Sequence, residues 1–474
     1  QEGALAECGW DNPDLDKLWR YNQHYFDDLN ATTASDRFPW QIALLDDWIA
    51  QNPPGQGSGW EPYPASLRIV NWIKWALGGN ALRAEWAHSL VVQTRWLKRR
   101  LEWHLLGNHL FANAKALIFA GLFFEGPEAQ RWLTLGTRIL IEQLPEQILA
   151  DGAQFELSPM YHALALEDVL DLINVFAAFE DVLQAPQHAL RDACRSYVQG
   201  MRSWLDNMSH PDGRISFFND AAFGVAPENV ELHDYAARLD FSPIDAARSW
   251  HGESGYARLT AGEAVLILDM AAVGPDYLPG HAHADTLSFE FSLGNQRIFV
   301  NSGTSVYGIG PERSRQRGTA AHNCVVIDDM DSSDVWGGFR VGRRARVSGA
   351  AVRTAGEVLE ARAQHDGYRR LTARPVHDRH WQLTAEHLAI TDATPRETPR
   401  AQARYHLHPS IKTAQHSPKT GLLLCPDGRE IGWASNSSVT IEQSTWHPEF
   451  GISEPATCLV IAFEGHEARL QIEW

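Results

Sequence analysis

The 474-residue chain holds only five cysteines, Cys8, Cys194, Cys324, Cys425 and Cys458, far apart and odd in number. Such spacing gives neither a CxxC metal motif nor a disulfide framework. No apolar run approaches the ~20 residues a membrane span needs, so none is expected. Basic residues are in deficit: 41 Lys and Arg stand against 59 Asp and Glu, a net charge of −18. That balance argues against nonspecific binding to nucleic acid or an anionic membrane. It would also repel a polyanion unless the binding cleft is locally basic. The chain starts at Gln1, with no methionine and no signal peptide, which leaves room for a removed upstream segment.

What is present is ordinary in bulk, with 44% hydrophobic and 21% charged residues. The length is about twice that at which one hydrophobic core stops growing, so two domains are expected. Residues 1–250 read as helical. Leu67, Val70 and Trp72 or Ile73 recur at helical spacing, as do Leu164, Leu166, Val169 and Leu170. About eight to ten helices are expected, joined by loops at 78–80, 126–127, 185–187 and 210–213. Serial helical hairpins without strands imply a bundle or an α/α toroid, although no exact repeat marks a solenoid. Residues 251–474 change character. Runs such as 264–268, 297–300, 324–327, 388–391 and 458–463 alternate with turn residues, the pattern of stacked antiparallel sheets. The 18 tryptophans and 11 tyrosines serve core packing first, with sugar stacking as a second use.

The stretch Gly280-His281-Ala282-His283-Ala284-Asp285 leads into apolar alternation through Phe289, Phe291 and Leu293. Read as a strand, it sets His281, His283 and Asp285 on one face. Three ionisable groups on a buried strand are costly unless paired, metal-bound or catalytic. A histidine-rich loop before an ordinary strand is the plainer alternative.

Three stretches of the helical half could join it. Gly107-Asn108-His109 precedes an apolar helix, with Asn108 at its start. Ser158-Pro159 reads as an N-cap with proline at the first helical position, which places Tyr161 and His162 in the first turn. Phe218-Asn219-Asp220 reads as an Asx turn. In the second half, Asn301-Ser302-Gly303-Thr304 follows a strand and Tyr307 lies just beyond. Arg313, Arg315 and Arg317, with Arg340, Arg343, Arg344 and Arg346 downstream, form the densest basic region, either a solvated loop or an anion-binding wall.

Together and in order, Gly107-Asn108-His109, Ser158-Pro159-Met160-Tyr161-His162, Gly280–Asp285, Ser302-Gly303-Thr304 and Ala321-His322-Asn323 resemble the heparinase II/III-type polysaccharide lyases and related alginate lyases. The resemblance implies an incomplete α/α toroid followed by an antiparallel β-sandwich. It implies β-elimination on a uronic-acid-containing polysaccharide, whether glycosaminoglycan-, alginate- or exopolysaccharide-like. Tyr161 then matches the general acid and takes the base role as well. His109 and His281 act as base or carboxylate neutraliser, Asn108 neutralises the carboxylate, and Tyr307 assists at the leaving oxygen. Trp60, His162, Arg313, Arg315 and Arg317 are expected on substrate. The family's divalent metal, usually zinc, would be structural and held by His283, Asn301 and His322, with Asn301 where the family carries aspartate. Asp285 substitutes if geometry allows, since zinc favours imidazole and carboxylate.

Other classes fit part of the pattern: a metal-dependent hydrolase on HxHxD, a toroid glycosidase using Asp151 and Glu156, or a non-catalytic polysaccharide binder. The expected partner is an acidic polysaccharide and the expected location periplasmic or secreted.

Overall fold

The computed structural model describes residues 5–244, 250–395, 398 and 400–474. The order is helices first and antiparallel strands afterwards. Contacts divide the chain into residues 1–147 with 168–196, and residues 148–167 with 197–474. The second unit thus takes in residues 148–167 and 197–250, which the sequence places in the helical half.

The first unit is built of helices. Gly107–Phe123 is buried on nearly every side, as its apolar sequence demands, and packs against Pro127–Gln147 and Pro62–Leu77. Two glycines permit that approach. A Cβ at Gly121 would meet the Leu133 nitrogen at 2.5 Å, and one at Gly136 the Ala114 oxygen at 2.7 Å. Lys115 is buried within this apolar helix, and the Asp168 carboxylate at 2.7 Å and Asp171 compensate its charge.

The second unit carries two large antiparallel sheets. One runs in the order Trp250–His251, Tyr256–Ala261, Ala264–Asp269, Phe289–Leu293, Gln296–Phe299, Ala401–Leu407, Glu454–Ala462, Val439–Trp446, with Val325–Ile327 paired to Ala401–Leu407. The other runs from Lys412–Ser417 through Thr420–Leu424, Glu430–Ser435, Glu467–Glu473, His387–Ala393, His377–Leu383 and Val358–His365 to Val347–Ala355. Leu266, Phe291, Phe299 and Tyr405 of the first pack with Trp381, Ile390, Trp433 and Leu470 of the second in one core, which makes this a β-sandwich. Strict alternation of buried and half-buried residues along His377–Leu383 shows the period of two that the sandwich requires. A separate hairpin pairs Asp334–Trp336 with Arg340–Gly342.

One buried polar cluster sits inside this core. Asp392 accepts from His377 (2.6 Å), Arg379 (2.6 Å) and Tyr405 (2.9 Å). Arg379 also donates to the carbonyls of Leu287, at 2.7 Å, and Asn323. It thereby fixes the two loops that carry His283 and His322.

Three local expectations change. The strand expected from His281 begins only at Phe289. Residues 281–288 form a loop, closed by a Ser288 N–H donated to the Asp285 carbonyl and turned by Leu287 at φ 66°. The arginine run is a helix, Pro311–Arg317. Arg313 and Arg317, four apart, are therefore buried on one face, while Arg315 is exposed. The loop expected at 185–187 is the first turn of helix Ala185–Asn207, where Pro186 lacks only a donor the helix does not use. No helix among the described residues is long and apolar enough to cross a membrane.

Candidate active site

Asp220 is the hub of the site, in the second unit. Its Oδ2 accepts from His281 Nδ1 at 2.9 Å and from Arg313 at 2.7 Å. Its Oδ1 accepts from His283 Nε2 at 2.8 Å, from the Thr304 hydroxyl at 3.2 Å and from the second Arg313 nitrogen. Burial alone would raise this carboxyl. The Arg313 guanidinium and the two imidazole donors outweigh it and hold Asp220 well below the usual carboxylate range.

Local structure sets each group in place. Ser158 caps the helix Pro159–Ala178, accepting from the Tyr161 N–H at 3.2 Å, and its hydroxyl donates to the Asp220 carbonyl at 2.5 Å. That single serine ties the helix bearing Tyr161 to the loop bearing Asp220. The Asp220 N–H closes the circuit by donating to the His281 carbonyl at 3.0 Å.

Around this hub lies the chemistry. The Tyr161 and Tyr307 phenols share a hydrogen bond of 2.8 Å, and the Tyr161 ring lies against His281 with centroids 3.9 Å apart. His281 stands between two carboxylates, with Nδ1 on Asp220 and Nε2 3.4 Å from Glu156 Oε2. An anionic Asp220 keeps a proton on Nδ1, so Nε2 is the nitrogen left to exchange protons. Phe339 and Phe450 pack on Tyr307 and form the apolar side of the group.

Behind it, His283, Asp285 and His322 place one ligand atom each within 4.8 Å of one another, all buried. His283 gives Nε2–H to Asp220 and so turns a bare Nδ1 toward His322 Nε2, 3.3 Å away. Burial lowers both imidazoles, His322 to about 4, so both are neutral and fit for coordination. Two neutral imidazoles and a carboxylate suit a divalent cation such as zinc. Asn301 is otherwise engaged: its side-chain oxygen accepts from the Asn323 N–H (3.3 Å) and its NH2 donates to Ser288 (3.4 Å).

The structure thus brings Tyr161, His281 and Tyr307 together. Other expected substrate contacts are committed to scaffold. His162 is buried, with Nδ1 accepting from the Gln154 N–H and Nε2 donating to the Met201 carbonyl. Arg317 donates to the Ala282 carbonyl, and Arg313 is spent on Asp220. Arg315 pairs with Glu312 and reaches Thr445 and His447. Trp60, in the first unit, is 3% exposed and donates its indole N–H to the Asn52 carbonyl. Asn108 and His109 also belong to the first unit, in the first turn of Gly107–Phe123, where His109 Nδ1 lies 3.0 Å from Glu102 and its ring stacks on Tyr63. Sequence reasoning missed Asp220 as the hub and Glu156 as the neighbour of His281. The stretch Phe218-Asn219-Asp220 reads in the sequence only as an Asx turn, with nothing to mark a hub.

Residues 23–250 match the family described as Heparinase II/III N-terminus, and residues 244–474 the one described as Heparinase II/III-like, C-terminal. A heparin-sulfate lyase of Pedobacter heparinus is 24% identical over 332 residues, 61% of this chain and 48% of that protein. One from Bacteroides stercoris is 25% identical over 245 residues, 48% of this chain and 36% of that protein. The matched region spans about half or less of these curated relatives. Among solved structures, heparinase III superposes with a TM-score of 0.73 at 17% identity, covering 100% of this chain and 79% of that one. A Streptomyces coelicolor chondroitin AC lyase gives 0.54 at 11% identity, covering 96% and 74%. At such identities the likeness is one of fold: helical toroid first, antiparallel β-sheets after. With both halves matched in order, the chain belongs to the heparinase II/III-like family.

Proposed function

We propose that the protein is a polysaccharide lyase that cleaves a uronic-acid-containing glycosaminoglycan by β-elimination. The observation that carries this reading is the hydrogen-bonded Tyr161–Tyr307 pair, with the Tyr161 ring against a histidine held between two carboxylates. A lyase removes the C5 proton of the uronate and expels the C4 oxygen. Both transfers suit a phenol and an imidazole poised side by side. Tyr161 gives its proton to the leaving oxygen, and Tyr307 supports that phenol. His281, oriented by Asp220, either takes the C5 proton itself or neutralises the carboxylate while the Tyr161 phenolate takes the C5 proton and then passes it to the leaving oxygen. The family motif gives Asn108 and His109, in the first unit, the role of neutralising a uronate carboxylate, which stabilises the developing enediolate.

A glycosidase using Asp151 and Glu156 is less well supported, because Asp151 accepts from the Ser254 N–H at 2.7 Å and the Ala153 N–H at 3.2 Å and so closes loops. Incubation with heparan sulfate, chondroitin and alginate tests the reading. A lyase yields an unsaturated product that absorbs in the ultraviolet. New reducing ends without that absorbance would mean hydrolysis, and neither signal would mean binding alone. A periplasmic or secreted location suits an enzyme whose substrate is an extracellular polymer.

His283, Asp285 and His322 would hold the family's divalent cation, whose chemistry in this place is to brace the loop that carries His281. Chelation should therefore lower the unfolding temperature, zinc should restore it, and His283→Ala should reproduce the chelated value. Metal analysis and thermal unfolding of untreated protein check this. No bound ion, with His283→Ala unfolding like wild type, would remove the cation.

A further inference from the structure

The hairpin Asp334–Trp336/Arg340–Gly342 stands outside both large sheets, yet it is held at both ends. At its base Val335 and Val341 pack with Val273 and with Ala282, the residue between His281 and His283. At its tip the Gly338 carbonyl accepts from Arg313 Nε at 2.9 Å, the same arginine that grips Asp220. Gly337 and Gly338 make the turn at φ 54° and 68°. The tip carries Phe339 against Tyr307, with centroids 5.4 Å apart, and edge-on to His281. Trp336, 51% exposed, lies over Gly342, where a Cβ would come within 3.1 Å of the indole. Its outer face is left to solvent.

Beside the base is a cavity of about 440 Å³, lined by Val273, Asp276, Arg343, Arg344 and Arg346 among others. Val273 belongs both to this wall and to the cluster that includes Ala282, so one packed layer joins the cavity to the His281 loop. Arg343 is paired with Asp334, and Arg344 with Asp276 at 3.1 Å. Among the described residues, the Arg346 side chain makes no hydrogen bond or ion pair, while its backbone N–H donates to the Asp366 carboxylate at 2.8 Å. With Asp366 counted, three guanidinium groups stand against three carboxylates, and the Arg346 side chain is the guanidinium of this wall, among the described residues, that no carboxylate pairs. That guanidinium is where an anionic group of a sugar chain would be held.

We propose that this cavity is an anion subsite that takes the sulfate or carboxylate of a sugar beyond the reacting unit, with Phe339 and Trp336 as the apolar path toward it. A guanidinium binds either group through paired N–H donors, and an indole offers its face to a sugar ring. The proposal rests on the lyase reading for its substrate class, and its test is kept separate by measuring binding. Calorimetry with a heparan sulfate decasaccharide and its desulfated counterpart compares Tyr161→Phe with Tyr161→Phe/Arg346→Ala. The second should bind the sulfated chain about tenfold more weakly, the loss expected for one charge-assisted contact. Loss confined to the sulfated chain identifies sulfate as the ligand, and equal loss on both identifies carboxylate. Arg346→Lys should keep part of the affinity, and thermal unfolding establishes that each variant is folded. Unchanged affinity for both chains in folded Arg346→Ala overturns the subsite. Absence of any turnover by the wild type, with the Arg346 effect intact, would instead sink the lyase reading and leave the subsite standing.

Discussion

Tyr161→Phe should lose turnover by about 10²–10⁴-fold, the contribution typical of a positioned proton-transfer group, while its unfolding temperature stays close to wild type. The substitution deletes one oxygen from a ring whose packing on His281, 3.9 Å between centroids, remains. What disappears is the phenol bonded to Tyr307 at 2.8 Å. If Tyr161 serves the transition state alone, kcat falls and KM changes little. Tyr307→Phe should cost less, because it removes the supporting partner and leaves the Tyr161 proton. Ultraviolet product formation at saturating substrate gives both numbers. Retention of more than about a tenth of wild-type kcat by Tyr161→Phe would take the phenol out of proton transfer.

The place of Tyr161 in the first turn of a helix was legible from local rules, whereas its role came from the family resemblance. Ser158-Pro159 announces a helix start, and a start fixes which side chains occupy its first turn. The helix-then-strand order was legible for a similar reason, since periods of 3.6 and 2 are written residue by residue. The HxHxD stretch misled as a strand because its alternation continues smoothly into Phe289–Leu293, whereas the backbone of 281–288 is set by long-range partners. One such partner is the Arg379 guanidinium on the Leu287 carbonyl, and another is Asp220 between the two histidines. The arginine run, expected as a solvated loop or an anion-binding wall, is a helix on which Arg313 and Arg317 turn inward and Arg315 outward. Asp220 itself carried no local mark. An Asx turn and a buried hub look alike until residues some 60 to 90 positions downstream are folded onto it, at sequence separations of 61, 63 and 93.

Asp220→Asn should damage stability and catalysis together. The carboxylate is fully buried, and it is the ion-pair partner of the equally buried Arg313. Removing one member of a buried pair leaves the other charge uncompensated and costs about 3–5 kcal/mol. His281 loses the anion that fixes its Nδ1 proton, so kcat should fall as well. The acid range supplies an independent check. Asp220 is held below the ordinary carboxylate value, so its contribution is complete above about pH 5 and is lost as the pH falls below about 4. The stability gap between wild type and Asp220→Asn should therefore be constant at neutral pH and narrow in acid. Adding Arg313→Met to Asp220→Asn removes the stranded charge and should recover part of the lost stability without recovering activity, because the methionine cannot restore the acceptor for His281. Urea unfolding and kcat of the three variants read this out. A double variant no more stable than Asp220→Asn would show that the ion pair is not the source of the loss, and a double variant with restored turnover would reduce Asp220 to scaffold.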